Sequence, residues 1–146
     1  MHPPGKNLFE LFCIKPHFHI NKHDLKNKYF ELARIHHPDI SGDPTAFKKL
    51  TQAYSILSDD LKRAMYLNKH IVDTVDSDFL YQILEIEEQI DSEVNTKQIN
   101  DLLSDLINNC KKNYKDVKYL SKWVYYERLL KKLKEKKADQ EISKFM

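Results

Sequence analysis

A chain of 146 residues holds one medium domain or two small ones. Its 41% hydrophobic and 32% charged residues are a globular composition, and its two glycines and five prolines, none after Pro44, leave too little punctuation for hairpins. The sequence therefore predicts an all-α protein. No apolar stretch approaches the roughly 18 residues of a membrane span, and residues 1–6 are too short and polar for a signal peptide. Cys13 and Cys110 form no metal-type pair and suit a reducing compartment. The expected location is the bacterial cytoplasm, or the mitochondrial matrix for a eukaryotic chain that has been trimmed. The net charge of +2 hides a division. Residues 1–70 carry 11 Lys/Arg against 7 Asp/Glu, residues 71–109 carry 1 against 10, and residues 110–146 carry 12 against 5. That basic–acidic–basic layout suits specific surfaces better than diffuse nucleic-acid binding.

In chain order, residues 7–14 read as a short apolar helix ending before Pro16. Asn21, with Asp24 three residues on, has the form of a capping box. It opens a helix whose stripe is Leu25, Tyr29, Leu32 and either Ile35 or Ala33. Pro38 turns its predecessor away from the α conformation, so that helix ends near His36. Asp43-Pro44 starts the next one, with Asp as cap and Pro where its missing amide costs nothing. Its expected buried face is Phe47, Leu50, Ala53, Tyr54 and Leu57. Ser58, Asp59 and Asp60 cap a shorter helix that runs to about Asn68.

Residues 70–76 read as a linker between a domain at 1–69 and a second at 77–146. Three further helices are expected at about 77–91, 96–114 and 117–138, with a frayed tail after Asp139. Short connections make them antiparallel neighbours in a three-helix bundle, and the acidic first and basic third favour each other. On the first, Phe79, Ile83, Ile86 and Ile90 suffice for a core stripe. That leaves Leu80, Tyr81 and Leu84 on an adjoining face beside Glu85 and Glu88. On the last, Tyr119, Trp123, Tyr126, Leu130 and Leu133 make the stripe, leaving Leu120, Val124, Tyr125 and Leu129, of which Val124 and Leu129 are expected in the core or at a domain interface. An apolar surplus with a carboxylate rim is the composition of an interaction site.

His37-Pro38-Asp39 lies between two amphipathic helices. With the capped helix before it, the Asp43-Pro44 start after it and Leu8-Phe9 near the N-terminus, it makes residues 7–69 resemble a J-domain, the module that docks on DnaK-class ATP-driven chaperones and stimulates their ATPase. The resemblance implies that the chaperone is engaged by His37, Pro38 and Asp39 together with Lys22, Lys26, Lys28, Tyr29 and Arg34 on the preceding helix. Each residue type suits that work: a histidine that donates or accepts near neutral pH, a proline that stiffens the turn, and a carboxylate for a partner's arginine.

The second half narrows the resemblance. No glycine/phenylalanine-rich region or Cys-x-x-Cys repeat follows. Instead Arg63-Ala64-Met65-Tyr66-Leu67 leads into Phe79-Leu80-Tyr81-Gln82-Ile83-Leu84-Glu85-Ile86-Glu87-Glu88. Over nearly the whole chain this resembles the HscB (Jac-type) co-chaperones of iron–sulfur cluster assembly. The resemblance implies an L-shaped molecule and a second partner, the IscU-type scaffold on which the cluster is built. Leu80, Leu84 and Tyr125 would make the apolar contacts with that scaffold, surrounded by Tyr81, Glu85 and Glu88.

The remaining constellations are weaker. The seven histidines show no repeated ligand spacing, Cys13 reads as a core residue of its helix, and neither cofactor nor metal is expected. No nucleophile–base pair or phosphate loop is visible, so the chain is expected to be an adaptor, not an enzyme. Neither membrane nor nucleic acid is expected as a partner. The alternatives are a J-domain protein with another client and, in a different class, a helical nucleic-acid-binding protein using the lysines from Lys131 to Lys137. A metal enzyme is the remaining rival.

Overall fold

Most of the helices begin where a short polar side chain can accept a backbone amide that the first turn leaves unpaired. The computed structural model describes residues 7–69 and 73–145. Asn7 caps α1 (Leu8–Leu11), and Asn21 accepts from the amides of both His23 and Asp24 to open α2 (Lys22–His36). His37 opens the single turn α3 (Pro38–Ser41), and Asp43 opens α4 (Pro44–Leu57) by accepting from Thr45. Asp59 accepts from the Lys62 amide to start α5 (Asp60–Leu67), so Ser58 instead closes α4. Asp76 and Asp116 cap α6 (Ser77–Asp91) and α8 (Val117–Lys144), while α7 (Thr96–Lys112) follows a left-handed Asn95. Among the described residues there is no strand, and the all-α expectation holds.

Backbone contacts divide the chain into two units, Met1–His70 and Ile71–Met146. The expected linker at 70–76 falls partly on residues 70–72, which lie outside the described residues; just beyond them, the Asp73 amide donates to Ser121 Oγ on α8 at 2.6 Å. In the first unit α2 and α4 pair around Leu25, Leu50, Ala53 and Leu57, with Phe9 and Phe12 closing one end. Tyr29 of α2 stacks flat on Tyr54 of α4, ring centroids 4.3 Å apart. Of the two residues left open at the end of the α2 stripe, Ala33 packs against this core and Ile35 is 61% exposed.

Cys13 corrects an expectation. It is exposed, because α1 stops at Leu11 and Phe12 takes the buried place; Cys13 follows at φ 54°, in the left-handed region that ends the turn.

One buried cation fastens α5 to the rest of its unit. Arg63 is 3% exposed, and its guanidinium donates from Nε to the Phe18 carbonyl (2.7 Å), from Nη1 to the Leu57 carbonyl (2.8 Å) and from Nη2 to Asp60 Oδ1 (2.8 Å). It also lies over the Phe18 ring, 4.8 Å from its centroid. Such a charge is tolerated only because its donors find partners. The string Arg63-Ala64 is thus a packing feature, with Ala64 wholly buried beside it.

In the second unit α8 packs against both α6 and α7. Its buried arc is therefore wider than one stripe: Leu120, Trp123, Tyr126, Leu129 and Leu133 are buried, while Tyr119 and Leu130 sit at the margin. Leu120, read from sequence as surplus, is core. On α6, Phe79, Ile83 and Ile90 are buried and Ile86 partly so. The acidic and basic helices meet as expected: Lys132 Nζ lies 3.0 Å from both Glu87 Oε1 and Asp91 Oδ1, and those hydrogen bonds raise the ammonium pKa. Helix α8 continues to Lys144 instead of fraying after Asp139, because Ala138, Gln140 and Glu141 favour helix and Ser143 Oγ bonds the Asp139 carbonyl.

Removing Arg63 takes the side-chain donor from the Phe18 and Leu57 carbonyls, so Arg63→Ala should cost about 3 kcal/mol of unfolding free energy by denaturant titration. A loss below about 1 kcal/mol would show that the guanidinium is not holding α5. Burial pushes the Cys110 thiol from its ordinary 9.0 up to about 11. In the native protein a thiol reagent at pH 8 should label Cys13 and spare Cys110. Because the folded form holds the thiol proton more tightly, its contribution to stability is whole below pH 9.0 and is lost as pH rises through about 11. Replacing Cys110 with Ala should flatten that part of the stability profile.

Candidate functional site

The end of the α2–α4 hairpin is built by Pro38. It holds His37 at φ −57° and ψ 136°, which ends α2, and the His37 ring then turns back so that Nδ1 accepts the Asp39 amide at 3.2 Å. Pro38 and Asp39, expected as loop, are the first turn of α3. Gly42 closes it at φ +72° and donates to the Pro38 carbonyl. Ser41 ties the turn further: its Oγ lies 3.3 Å from the His36 and His37 carbonyls and 3.2 Å from that of Asp43, and the Asp43 amide donates back to it at 3.3 Å. Phe47 of α4 sets its ring at an angle to the His37 ring, centroids 5.4 Å apart. The Asp39 carboxylate is thereby held out on a fixed turn with its side chain 90% exposed.

The residues expected beside this turn do not all share its face. Tyr29, Phe30, Arg34, His37 and Phe47 line one open groove of about 720 Å³. Lys26 stands one turn before Phe30 with its ammonium 5.8 Å from the ring centroid. Lys22 continues that line, but its ammonium pairs with Asp60 at 2.9 Å. Lys28, two positions after Lys26, is on the opposite side of α2 and reaches the Cys13 carbonyl at 3.5 Å. Of the four basic residues, Arg34 thus lines the groove together with Glu31, and Lys26 reaches it through the ring of Phe30. Phe30 in its lining is exposed, which gives the groove more apolar surface than a purely basic face would have, and Ile35 of α2 and Ile40 of α3 are exposed as well.

On α6 the second expected surface is present as a stripe. Leu80, Tyr81 and Leu84 are 37%, 67% and 59% exposed, and Glu85 and Glu88 are exposed beside them. Tyr125 is half-buried at the α6–α8 seam, its ring edge-on to Phe79 at 5.7 Å with the Arg128 guanidinium 5.3 Å from its centroid. Two features here escaped the sequence reading. Arg128 covers Tyr125, and Glu85, Glu88, Gln89, Ser92 and Val94 line a hollow of about 310 Å³. The spacing from Tyr125 to Arg128 was legible; the hollow depends on the turn between α6 and α7. Among the described residues no three His, Cys, Asp or Glu side chains gather as a metal set, and no helix is long and apolar enough to cross a membrane.

Comparison with known proteins bears on both units. Residues 7–66 match the family described as DnaJ domain. The chaperone protein DnaJ of Methanothermobacter thermautotrophicus is 51% identical over 49 residues, 32% of this chain and 13% of that protein. The DnaJ 1 chaperone of Aquifex aeolicus is 41% identical over 75 residues, 47% of this chain and 20% of that protein. The matched region therefore spans no more than a fifth of these curated relatives. Across nearly its whole length the chain superposes on human co-chaperone protein HscB, with a TM-score of 0.80, 23% identity, and coverage of 93% of this chain and 84% of that one. Chaperone HscB from Vibrio cholerae gives a TM-score of 0.66 at 22% identity, covering 95% and 96%. The first unit thus matches a DnaJ domain, and nearly the whole chain shares the helical fold seen in HscB.

Proposed function

We propose that this protein is a co-chaperone that carries an IscU-type iron–sulfur scaffold to a DnaK/HscA-class chaperone and stimulates the chaperone's ATPase, aiding cluster transfer. The observation that carries the reading is the His37-Pro38-Asp39 turn, which presents an exposed carboxylate two residues from His37, itself part of the lining of a groove shared with Tyr29, Phe30, Arg34 and Phe47. A fixed carboxylate suits a partner's arginine, and the groove suits an aliphatic segment. In this role His37, Pro38, Asp39, Lys26, Tyr29 and Arg34 touch the chaperone. Lys22 and Lys28 act at the margin, because one is paired with Asp60 and the other faces away.

The α6 stripe takes the scaffold: Leu80, Leu84 and Tyr125 through apolar contact, with Tyr81, Glu85 and Glu88 around them. Its support is the exposure of three large apolar side chains, two adjacent and the third one turn on, beside carboxylates, together with the likeness to HscB. The chain itself catalyses nothing. Holding both partners raises the local concentration of scaffold at the chaperone, and the groove then promotes hydrolysis. The place of work is a reducing one, cytoplasm or matrix, which keeps exposed Cys13 as a thiol.

Steady-state ATPase of a DnaK/HscA-class chaperone, with this protein and an IscU scaffold added singly and together, tests the reading. Synergistic stimulation is expected, and His37→Gln should reduce it about tenfold or more. Stimulation indifferent to scaffold would point to another client, and no stimulation would overturn the assignment. Tyr81→Ser with Leu84→Ser should weaken scaffold binding in calorimetry by about tenfold or more. Because both side chains are exposed, each substitution should move stability by no more than about 0.5 kcal/mol. Unchanged scaffold affinity would remove α6 from the interface.

A further inference from the structure

The two ring nitrogens of His37 face different tasks, and the hydrogen bonding of the turn says which nitrogen does which. Nδ1 accepts the Asp39 backbone N–H at 3.2 Å. A nitrogen that accepts carries no proton of its own, so in the neutral ring the proton sits on Nε2. The Asp39 carboxylate oxygen is 3.6 Å from Nδ1, beyond hydrogen-bond range, and does not compete for it. The ring is held in place by Phe47, set at an angle to it with centroids 5.4 Å apart, and by the Ser41 hydroxyl on the His37 carbonyl. The His37 side chain is still 47% exposed.

We infer that His37 acts on the chaperone as a hydrogen-bond donor through Nε2–H, with Nδ1 committed to capping the turn that aims Asp39, and that the partner meets it with an acceptor, a carbonyl or a carboxylate. The inference rests on the function proposed above and deepens it. The partner must offer an oxygen to His37 beside the cation it offers to Asp39. It also explains why one histidine should be hard to replace. Asparagine reproduces the capping acceptor, since its side-chain oxygen occupies the place of Nδ1, but it has nothing at Nε2. Glutamine reaches the Nε2 position with an amide, yet caps poorly, so its donor is not held. The two substitutions fail for opposite reasons.

Two measurements on the full chain separate the parts. Nitrogen-15 NMR of the histidine rings should find the Nε2–H tautomer at His37. In His37→Asn the Asp39 amide should keep its hydrogen-exchange protection while ATPase stimulation falls about tenfold or more. In His37→Gln the Asp39 amide should lose protection as stimulation falls. A role in turn structure alone would leave His37→Asn as active as wild type, and that result would overturn the donor assignment. A proton found on Nδ1 would overturn the capping assignment. A wild-type chain that fails to stimulate the chaperone would overturn the proposed function and the donor role with it, while the tautomer would still decide the capping part. Unchanged circular dichroism and Tm for both variants check that neither result comes from unfolding.

Discussion

Pro38 is the constraint on which the working end of the first unit depends. Its ring excludes the α conformation from His37, so α2 cannot run on, and the extended His37 backbone brings its own side chain round to the Asp39 amide. From that single restriction follow the end of one helix, the start of the next turn, the direction of the Asp39 carboxylate and the division of labour between the two imidazole nitrogens. Gly42 completes the device, because a left-handed residue at φ +72° lets the chain leave α3 directly into the Asp43 cap of α4.

Behind this turn the unit is rigid for reasons distributed along the hairpin. The Tyr29–Tyr54 stack sits where α2 and α4 pair, and the buried Arg63 guanidinium ties α5 to the carbonyls of Phe18 and Leu57. A turn meant to be read by a partner gains from such backing, since side chains already held in place lose little freedom on binding. The groove beside the turn mixes charge with exposed aromatic and aliphatic surface. Phe30, in line with Lys26 and Arg34 on α2, shifts the balance of attraction from long-range charge toward short-range contact.

The second unit solves a different problem. Helix α8 supplies apolar side chains to both α6 and α7, and its lysines meet the acids of α6 at Lys132. With Phe79, Ile83 and Ile90 turned inward and Ile86 partly so, Leu80, Tyr81 and Leu84 have no place in the bundle. Leu80, Tyr81 and Leu84 stay outside because a helix of 3.6 residues per turn cannot bury every position against two neighbours.

Much of this was legible in the residues alone. Proline and capping side chains act through their nearest neighbours, so both ends of α2 and the start of α4 could be read directly. Helical periodicity set Phe79, Ile83 and Ile90 against Leu80, Tyr81 and Leu84. The J-domain was visible in one turn and its flanking helices. The choice of Ala33 over Ile35, the burial of Leu120 and the exposure of Cys13 were not legible. Each depends on how many neighbours a face meets or on where a short helix stops. Likewise Lys22, Lys26, Lys28 and Arg34 were four basic residues in sequence, and only packing separated them: Asp60 of α5 took one, the Cys13 carbonyl took another, and two remained at the groove. Local chemistry along the backbone determined the elements and the turn; which side chains were left free to meet a partner was decided by contacts between residues far apart in the chain, which no local pattern records.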